Sequence, residues 1–227
     1  MTIKKAVIPA AGLGKRFYPL TRAQPKEMLP VVDRPVIHYV VEEAVKSGLD
    51  EILIIVGKGK DAIINYFDKS ELDGDMQKDY GFDNLPDIYF IRQKEQKGLA
   101  DAVRYAKGFV GDEPFAVLLG DTIYRTDTDE TVTKQLINVF DKYKKPTIAI
   151  EEVKKEKVKD YGIINGKQIE DNLWRINDLV EKPDPEDAPS NMGITGIYLL
   201  EPDIFEYIEK IKPGANHEYQ LTDALQL

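Results

Sequence analysis

Ala10-Ala11-Gly12-Leu13-Gly14-Lys15-Arg16 sets small residues beside two adjacent cations. Glycines let a backbone approach an anion closely, turn N–H groups can point at phosphate oxygens, and Lys15 and Arg16 supply compensating charge. The expected ligand is a polyphosphate. A Walker A loop needs longer glycine spacing and Ser or Thr after its Lys, where Arg16 stands; a dinucleotide fingerprint needs a third Gly where Phe17 stands. On glycine spacing alone, an ordinary tight strand-to-helix turn fits equally well. Further on, Pro25-Lys26-Glu27-Met28-Leu29-Pro30 holds a lysine between two prolines, which lowers the entropy lost in positioning it. A rigid lysine beside a phosphate loop suits charge neutralisation.

Three more places can carry chemistry. The apolar run Phe115 to Leu119 leads into Gly120-Asp121, putting a carboxylate at the carboxyl end of a buried parallel strand, where open α/β sheets bind ligands. One Asp is enough to anchor a nucleotide-bound Mg²⁺, since that ion usually takes one or two carboxylates plus phosphate oxygens. The plainer alternative is a capping Asp. Gln93 ends the run Ile88 to Arg92, five residues before Gly98; an amide that donates and accepts, next to open glycine backbone, can read the imide edge of a pyrimidine. Taken alone, Gln93 is a solvated strand end. Glu181-Lys182-Pro183, taken alone, is a surface ion pair.

Together, Ala10 to Arg16 and Pro25-Lys26-Glu27-Met28-Leu29-Pro30 resemble the signature of sugar-phosphate nucleotidyltransferases, closest to the bacterial and archaeal UTP–glucose-1-phosphate uridylyltransferases. In the thymidylyltransferase branch the second segment usually has Ser before the Lys and Gln after it, so Pro25 and Glu27 favour uridylyl transfer. The resemblance implies transfer of a uridylyl group from UTP to glucose 1-phosphate, giving UDP-glucose and pyrophosphate with Mg²⁺ as cofactor. It implies Arg16, Lys26 and Lys182 as catalytic cations and Asp121 as metal ligand. Ala10, Ala11, Gly12, Gly14, Glu27, Gln93 and Gly98 fall on its nucleotide-binding positions, the last two at the base. Gly162, after Tyr161, and Glu181 with Lys182 fall on its sugar-phosphate elements. Pro189 to Gly193 and Glu218 to Asp223 also match, with no role assigned.

The elements that must position these residues follow from hydrophobic periodicity. Short Val- and Ile-rich runs alternate with helical segments, the pattern of βαβ units. Strands are expected at Ile3 to Pro9, Glu51 to Val56, Ile88 to Arg92 and Phe115 to Leu119, with helices at Val36 to Ser47, Lys60 to Phe67 and Leu99 to Ala106. Beyond Thr147 the rhythm becomes strand-rich, with Ile148 to Val153, Ile163 to Ile164, Arg175 to Val180 and Gly193 to Leu200. Ser70 to Asn84 reads as a polar surface excursion. The expected fold is α/β: one Rossmann-like unit over 1–227 with a mainly parallel sheet flanked by helices. Residues 1–146 form its nucleotide-binding half, and 147–227 a more sheet-rich sugar-phosphate half.

Composition narrows the partners. A chain of 227 residues that is 42% hydrophobic can bury a substantial core. A net charge of −9 argues against nucleic acid, which is held by clustered Lys and Arg. With no cysteine and two histidines, His38 and His217, any metal is expected to be hard and oxygen-ligated. The N-terminus enters a strand with too short an apolar run for a signal peptide or span, so no membrane association and a cytoplasmic location are expected. The family continues past Gln220-Leu221-Thr222-Asp223 into structure that carries a second metal-ligating Asp and oligomer contacts, so the C-terminal part is expected to be missing and self-association stays open. Thymidylyl transfer, a catalytically silent sugar-nucleotide-binding paralogue and a nicotinamide dehydrogenase are the rival readings; Phe17 counts against the last.

Overall fold

The computed structural model describes residues 2–68, 81–214 and 217–227. Most of the expected excursion at Ser70 to Asn84 lies outside them. An eight-stranded sheet runs through both halves of the chain. Its parallel part comprises β1 (Lys5–Ala10), β4 (Glu51–Val56), β5 (Ile88–Arg92) and β6 (Phe115–Leu118), in the order β5-β4-β1-β6. β1, β4 and β6 are almost continuously apolar and buried, as strands covered on both faces must be. β2 (Pro30–Val31) and β3 (Arg34–Pro35) form a separate small hairpin.

The second half adds antiparallel strands: β7 (Thr147–Glu152), β8 (Gly162–Glu170), β9 (Leu173–Glu181) and β10 (Met192–Leu200). β10 is the joint. Its carboxyl half pairs with β6, Gly193 near its start pairs with Ile163 of β8, and β7 pairs along it with a bulge between Ile194 and Tyr198. Because β10 runs against β6, its N-terminal half projects past the carboxyl end of β6. The β8–β9 hairpin therefore stands at the edge where Asp121 emerges. Gly162 pairs with Glu181 at the base of that hairpin.

Seven helices flank the sheet among the described residues: α1 (Val36–Lys46), α2 (Asp61–Phe67), α3 (Leu99–Arg104), α4 (Lys107–Val110), α5 (Val132–Tyr143), α6 (Ile204–Lys210) and α7 (Leu221–Gln226). One buried cluster joins β1, β4 and β6 to α1 and α5. The opposite cluster joins the other sheet face to α3, α6 and α7, with Phe115 stacked on Phe205 at 5.5 Å. Truncating Phe115, fully buried there, costs about 3–5 kcal/mol.

Four expectations change. The helix expected through Ala106 breaks after Arg104 and restarts at Lys107. α5 and α6 stand where none was expected. The strand at Ile163 to Ile164 extends to Glu170, because its exposed polar end is ordered by the ladder with β9 rather than by burial. After Gly14 the chain does not enter an α-helix. It makes 3₁₀ turns at Lys15–Phe17, Leu20–Arg22 and Lys26–Met28, and α1 begins only at Val36.

Candidate active site

The loop after β1 is built around Lys26. A side chain at Gly12 would meet the Lys26 Nζ at 3.3 Å; one at Gly14 would meet Thr21 Cγ2 at 2.8 Å and Lys26 Cβ at 3.2 Å. Gly14 also adopts the left-handed region, with φ 65°. Gly14 is required so that the loop and the Thr21–Lys26 segment can lie against each other, and Gly12 leaves room for the Lys26 ammonium. Thr21 Oγ1 donates to the Gly14 carbonyl at 2.9 Å, and Gln96 Nε2 to that of Ala11 at the same distance. Ala10 and Ala11 are buried at the strand end, whereas Arg16 is exposed on the first 3₁₀ turn. Any anion here meets loop amides and side-chain cations, not the end of an α-helix.

Lys26 reaches across to Asp121, and the two charged groups are in direct contact. Gly120 holds Asp121 in place: its N–H donates to the Pro9 carbonyl at 3.2 Å, and an added Cβ would meet that oxygen at 3.1 Å. Glycine loop, lysine and strand-end carboxylate are therefore one assembly at the carboxyl edge of β1 and β6. Among the described residues no group of three or more His, Cys, Asp or Glu could hold a metal. A cation at Asp121 would need most of its ligands from elsewhere, as Mg²⁺ on a triphosphate has.

The Glu27 side chain is 1% exposed and accepts from Lys60 Nζ at 2.6 Å beneath the Lys26 turn. Burial pushes the Glu27 carboxyl up and the Lys60 ammonium down, and their mutual attraction opposes both shifts. Lys60, at the start of α2, lacks any motif that could have revealed it.

At the expected base position, Gln93 is 3% exposed. Its Nε2 donates to Asp101 Oδ2 at 2.7 Å. Gly98 caps α3 with φ 112°, and a Cβ there would meet the Tyr219 carbonyl oxygen at 2.5 Å. Tyr219 N–H donates to Lys97 O at 2.7 Å, and Ala100 N–H to Tyr219 O at 3.0 Å. The segment Glu218 to Asp223, matched in the sequence without a role, thus braces this turn.

The same segment braces the other cluster. Thr222 Oγ1 donates to Glu181 Oε2 at 2.6 Å, while Glu181 Oε1 pairs with Lys182 Nζ at 2.8 Å. A Cβ on Gly162 would meet both Glu181 Oε2 and Thr222 Oγ1 at 3.1 Å. Lys182 sits at φ 47°, its N–H bonded to the Tyr161 carbonyl at 2.9 Å. Burial and the nearby Glu181 raise the Asp223 carboxyl above its usual value. Sequence reasoning missed Lys60, Asp101, Tyr219 and Thr222; only the last two lay in a recognisable segment.

His38 stands apart from both clusters. His38 is buried on α1, its Nδ1 3.0 Å from Tyr66 Oη and its Nε2 3.3 Å from Arg34 Nη1. Among the described residues no helix is long and apolar enough to cross a membrane.

The family model for nucleotidyl transferases matches residues 5–227. The chain is 47% identical over 234 residues to the UTP–glucose-1-phosphate uridylyltransferase YngB of Bacillus subtilis, covering 99% of this chain and 78% of that one. It is 46% identical over 236 residues to UTP–glucose-1-phosphate uridylyltransferase 1 of Staphylococcus saprophyticus, with shares of 100% and 82%. A solved UDP-glucose pyrophosphorylase complexed with UDP-glucose superposes with a TM-score of 0.93 at 44% identity, over 99% of this chain and 86% of that one. With a matching fold, a glycine loop packed against Lys26 and a family match over nearly its whole length, the chain belongs to the nucleotidyl transferase family.

Proposed function

We propose that this protein transfers a uridylyl group from UTP to glucose 1-phosphate, forming UDP-glucose and pyrophosphate. The observation that carries the reading is the assembly of the glycine loop, Lys26 and Asp121 at the carboxyl edge of β1 and β6. A phosphate oxygen of glucose 1-phosphate attacks the α-phosphorus of UTP in line. The new P–O bond forms as the bond to the β-phosphate bridge breaks, and pyrophosphate leaves with that electron pair. The nucleophile is already an anion, so no general base is needed, and neither histidine has to serve as one.

The chain's own task is to hold two anions together and offset charge as it shifts. Arg16 and Lys26 face the triphosphate, and Lys182 faces the phosphate of the sugar. Amides of Ala11, Gly12 and Gly14 line the polyphosphate, with Ala10 closing the strand end. Gln93 and Gly98 read the base, and Glu181, supported by Gly162, accepts from sugar hydroxyls. Residues 1–146 thus serve the nucleotide and 147–227 the sugar phosphate. Asp121 fits Mg²⁺ as a lone carboxylate beside a phosphate loop, and the ion, when bound with the triphosphate, offsets charge on the phosphoryl oxygens.

Product analysis by mass spectrometry tests the assignment. With equal UTP and dTTP, glucose 1-phosphate and Mg²⁺, the protein is expected to yield mainly UDP-glucose. A product pool dominated by dTDP-glucose would replace the uridylyl assignment with thymidylyl transfer.

A further inference from the structure

The buried carboxylate of Asp101 has no part in the chemistry above. Its side chain is 5% exposed, in the first turn of α3, and accepts from Gln93 Nε2 at 2.7 Å and from Arg104 Nη2 at 2.6 Å. A carboxylate can only accept. The Gln93 amide must therefore turn its nitrogen toward Asp101 and its Oε1 away, whereas a free glutamine amide takes either orientation. Among the described residues none donates to that Oε1. What Asp101 leaves for a ligand is the Oε1 acceptor, held in one position, beside the second N–H of the amide; Gly98, five residues on, offers a backbone donor.

Uracil presents an N3–H donor flanked by carbonyl acceptors. Cytosine presents an N3 acceptor and an exocyclic amine donor on the same edge. An Oε1 fixed opposite N3 accepts from uracil and meets the lone pair of cytosine, while the Gly98 N–H can donate to a carbonyl of the base. We propose that Asp101 is a specificity-determining positioning residue, which locks the Gln93 amide with its oxygen available to the base and so selects UTP against CTP. The proposal rests on the assignment of Gln93 and Gly98 to the base. With Asn at 101, the new amide can accept from Nε2 or donate to Oε1, so Gln93 gains both orientations and the directional preference is lost. Sites built around a substrate hydrogen bond discriminate by leaving buried polar groups unpaired in the wrong complex, and that penalty vanishes once the group can turn.

The test is the ratio of kcat/KM for UTP to that for CTP, measured with the full chain and checked by calorimetric binding of each nucleotide. Asp101→Asn is expected to lower the ratio by about tenfold or more with KM for glucose 1-phosphate unchanged. In the Gln93→Glu/Asp101→Asn double variant, position 93 offers an acceptor whichever way it turns, and the ratio is expected to recover. Arg104→Ala keeps the Asp101 carboxylate and is expected to keep the ratio. A wild-type ratio in Asp101→Asn, alongside a lost ratio in Gln93→Ala, overturns the role of Asp101 and leaves the base assignment standing. A wild-type ratio in Gln93→Ala overturns the base assignment and the proposal with it. If Asp101→Asn does not fold, the double variant and Arg104→Ala decide, and failure of either to hold the UTP preference counts against the proposal.

Discussion

Lys26 and Asp121, 95 residues apart in sequence, are joined by a direct ion pair that ties the proline-flanked turn to the end of β6. Each sets the other's direction. The pair lies partly open to solvent, with side chains 20% and 32% exposed, so it adds little to stability and much to the arrangement of charge at the loop.

Lys26→Ala is therefore expected to lower kcat/KM by about 10²–10³, the usual cost of losing one preorganised charge-stabilising group, while the melting temperature stays within a few degrees of wild type. Arg16→Ala, on an exposed turn, should show the same separation. Steady-state kinetics beside thermal melts check both. Unchanged turnover in either variant contradicts its assignment.

Beneath that turn, the Glu27–Lys60 pair behaves differently because it is buried. Lys60→Met strands a carboxylate in the core and is expected to cost about 3–5 kcal/mol of stability, measured by denaturant unfolding. The double change to Glu27→Leu and Lys60→Met removes both charges and should recover much of that loss. A single variant as stable as wild type would show that the pair is not part of the folded core.

Thr222→Val removes the hydroxyl that donates to Glu181. A hydrogen bond to a charged group contributes about 1.5–3 kcal/mol, roughly a tenfold to hundredfold effect. The expected outcome is a higher KM for glucose 1-phosphate in that range, an unchanged KM for UTP, and recovery in Thr222→Ser. Equal rises in both KM values would mean the whole C-terminal brace had moved.

His38 gives a pH dependence. Burial, with Arg34 close by, lowers its pKa below the usual 6.5, so between the folded value and 6.5 the unfolded chain binds more protons. Its contribution to stability is complete above about pH 6.5 and is lost as pH falls through the folded value. His38→Gln should flatten the acid side of a plot of unfolding free energy against pH. An unchanged slope would remove His38 from the account.

The parallel half of the sheet was legible because β1, β4 and β6 are continuous apolar runs, a signal set by burial on both faces. The polar end of β8 was not, since Asn165, Gly166, Lys167 and Gln168 are extended only through their ladder with β9. α5 carried readable marks in Thr131, whose side chain accepts from Lys134 N–H at 3.2 Å, and in Ile137 and Phe140 on one face. In the site, Lys26, Glu27 and Asp121 were named from sequence, but nothing in the neighbourhood of Glu27 marks Lys60 as its partner. Gly98 was read as open backbone for a base, yet the close approach of Tyr219 also demands glycine there, a contact that only the folded chain creates.

The most direct test is pyrophosphate release by the 227-residue chain given UTP, glucose 1-phosphate and Mg²⁺, run beside Asp121→Ala. The account predicts release by wild type that depends on both substrates and falls by at least about 10² in the variant. Wild-type protein that is folded and binds UDP-glucose yet releases no pyrophosphate would contradict it, and would mark the chain as a binding protein instead of a transferase.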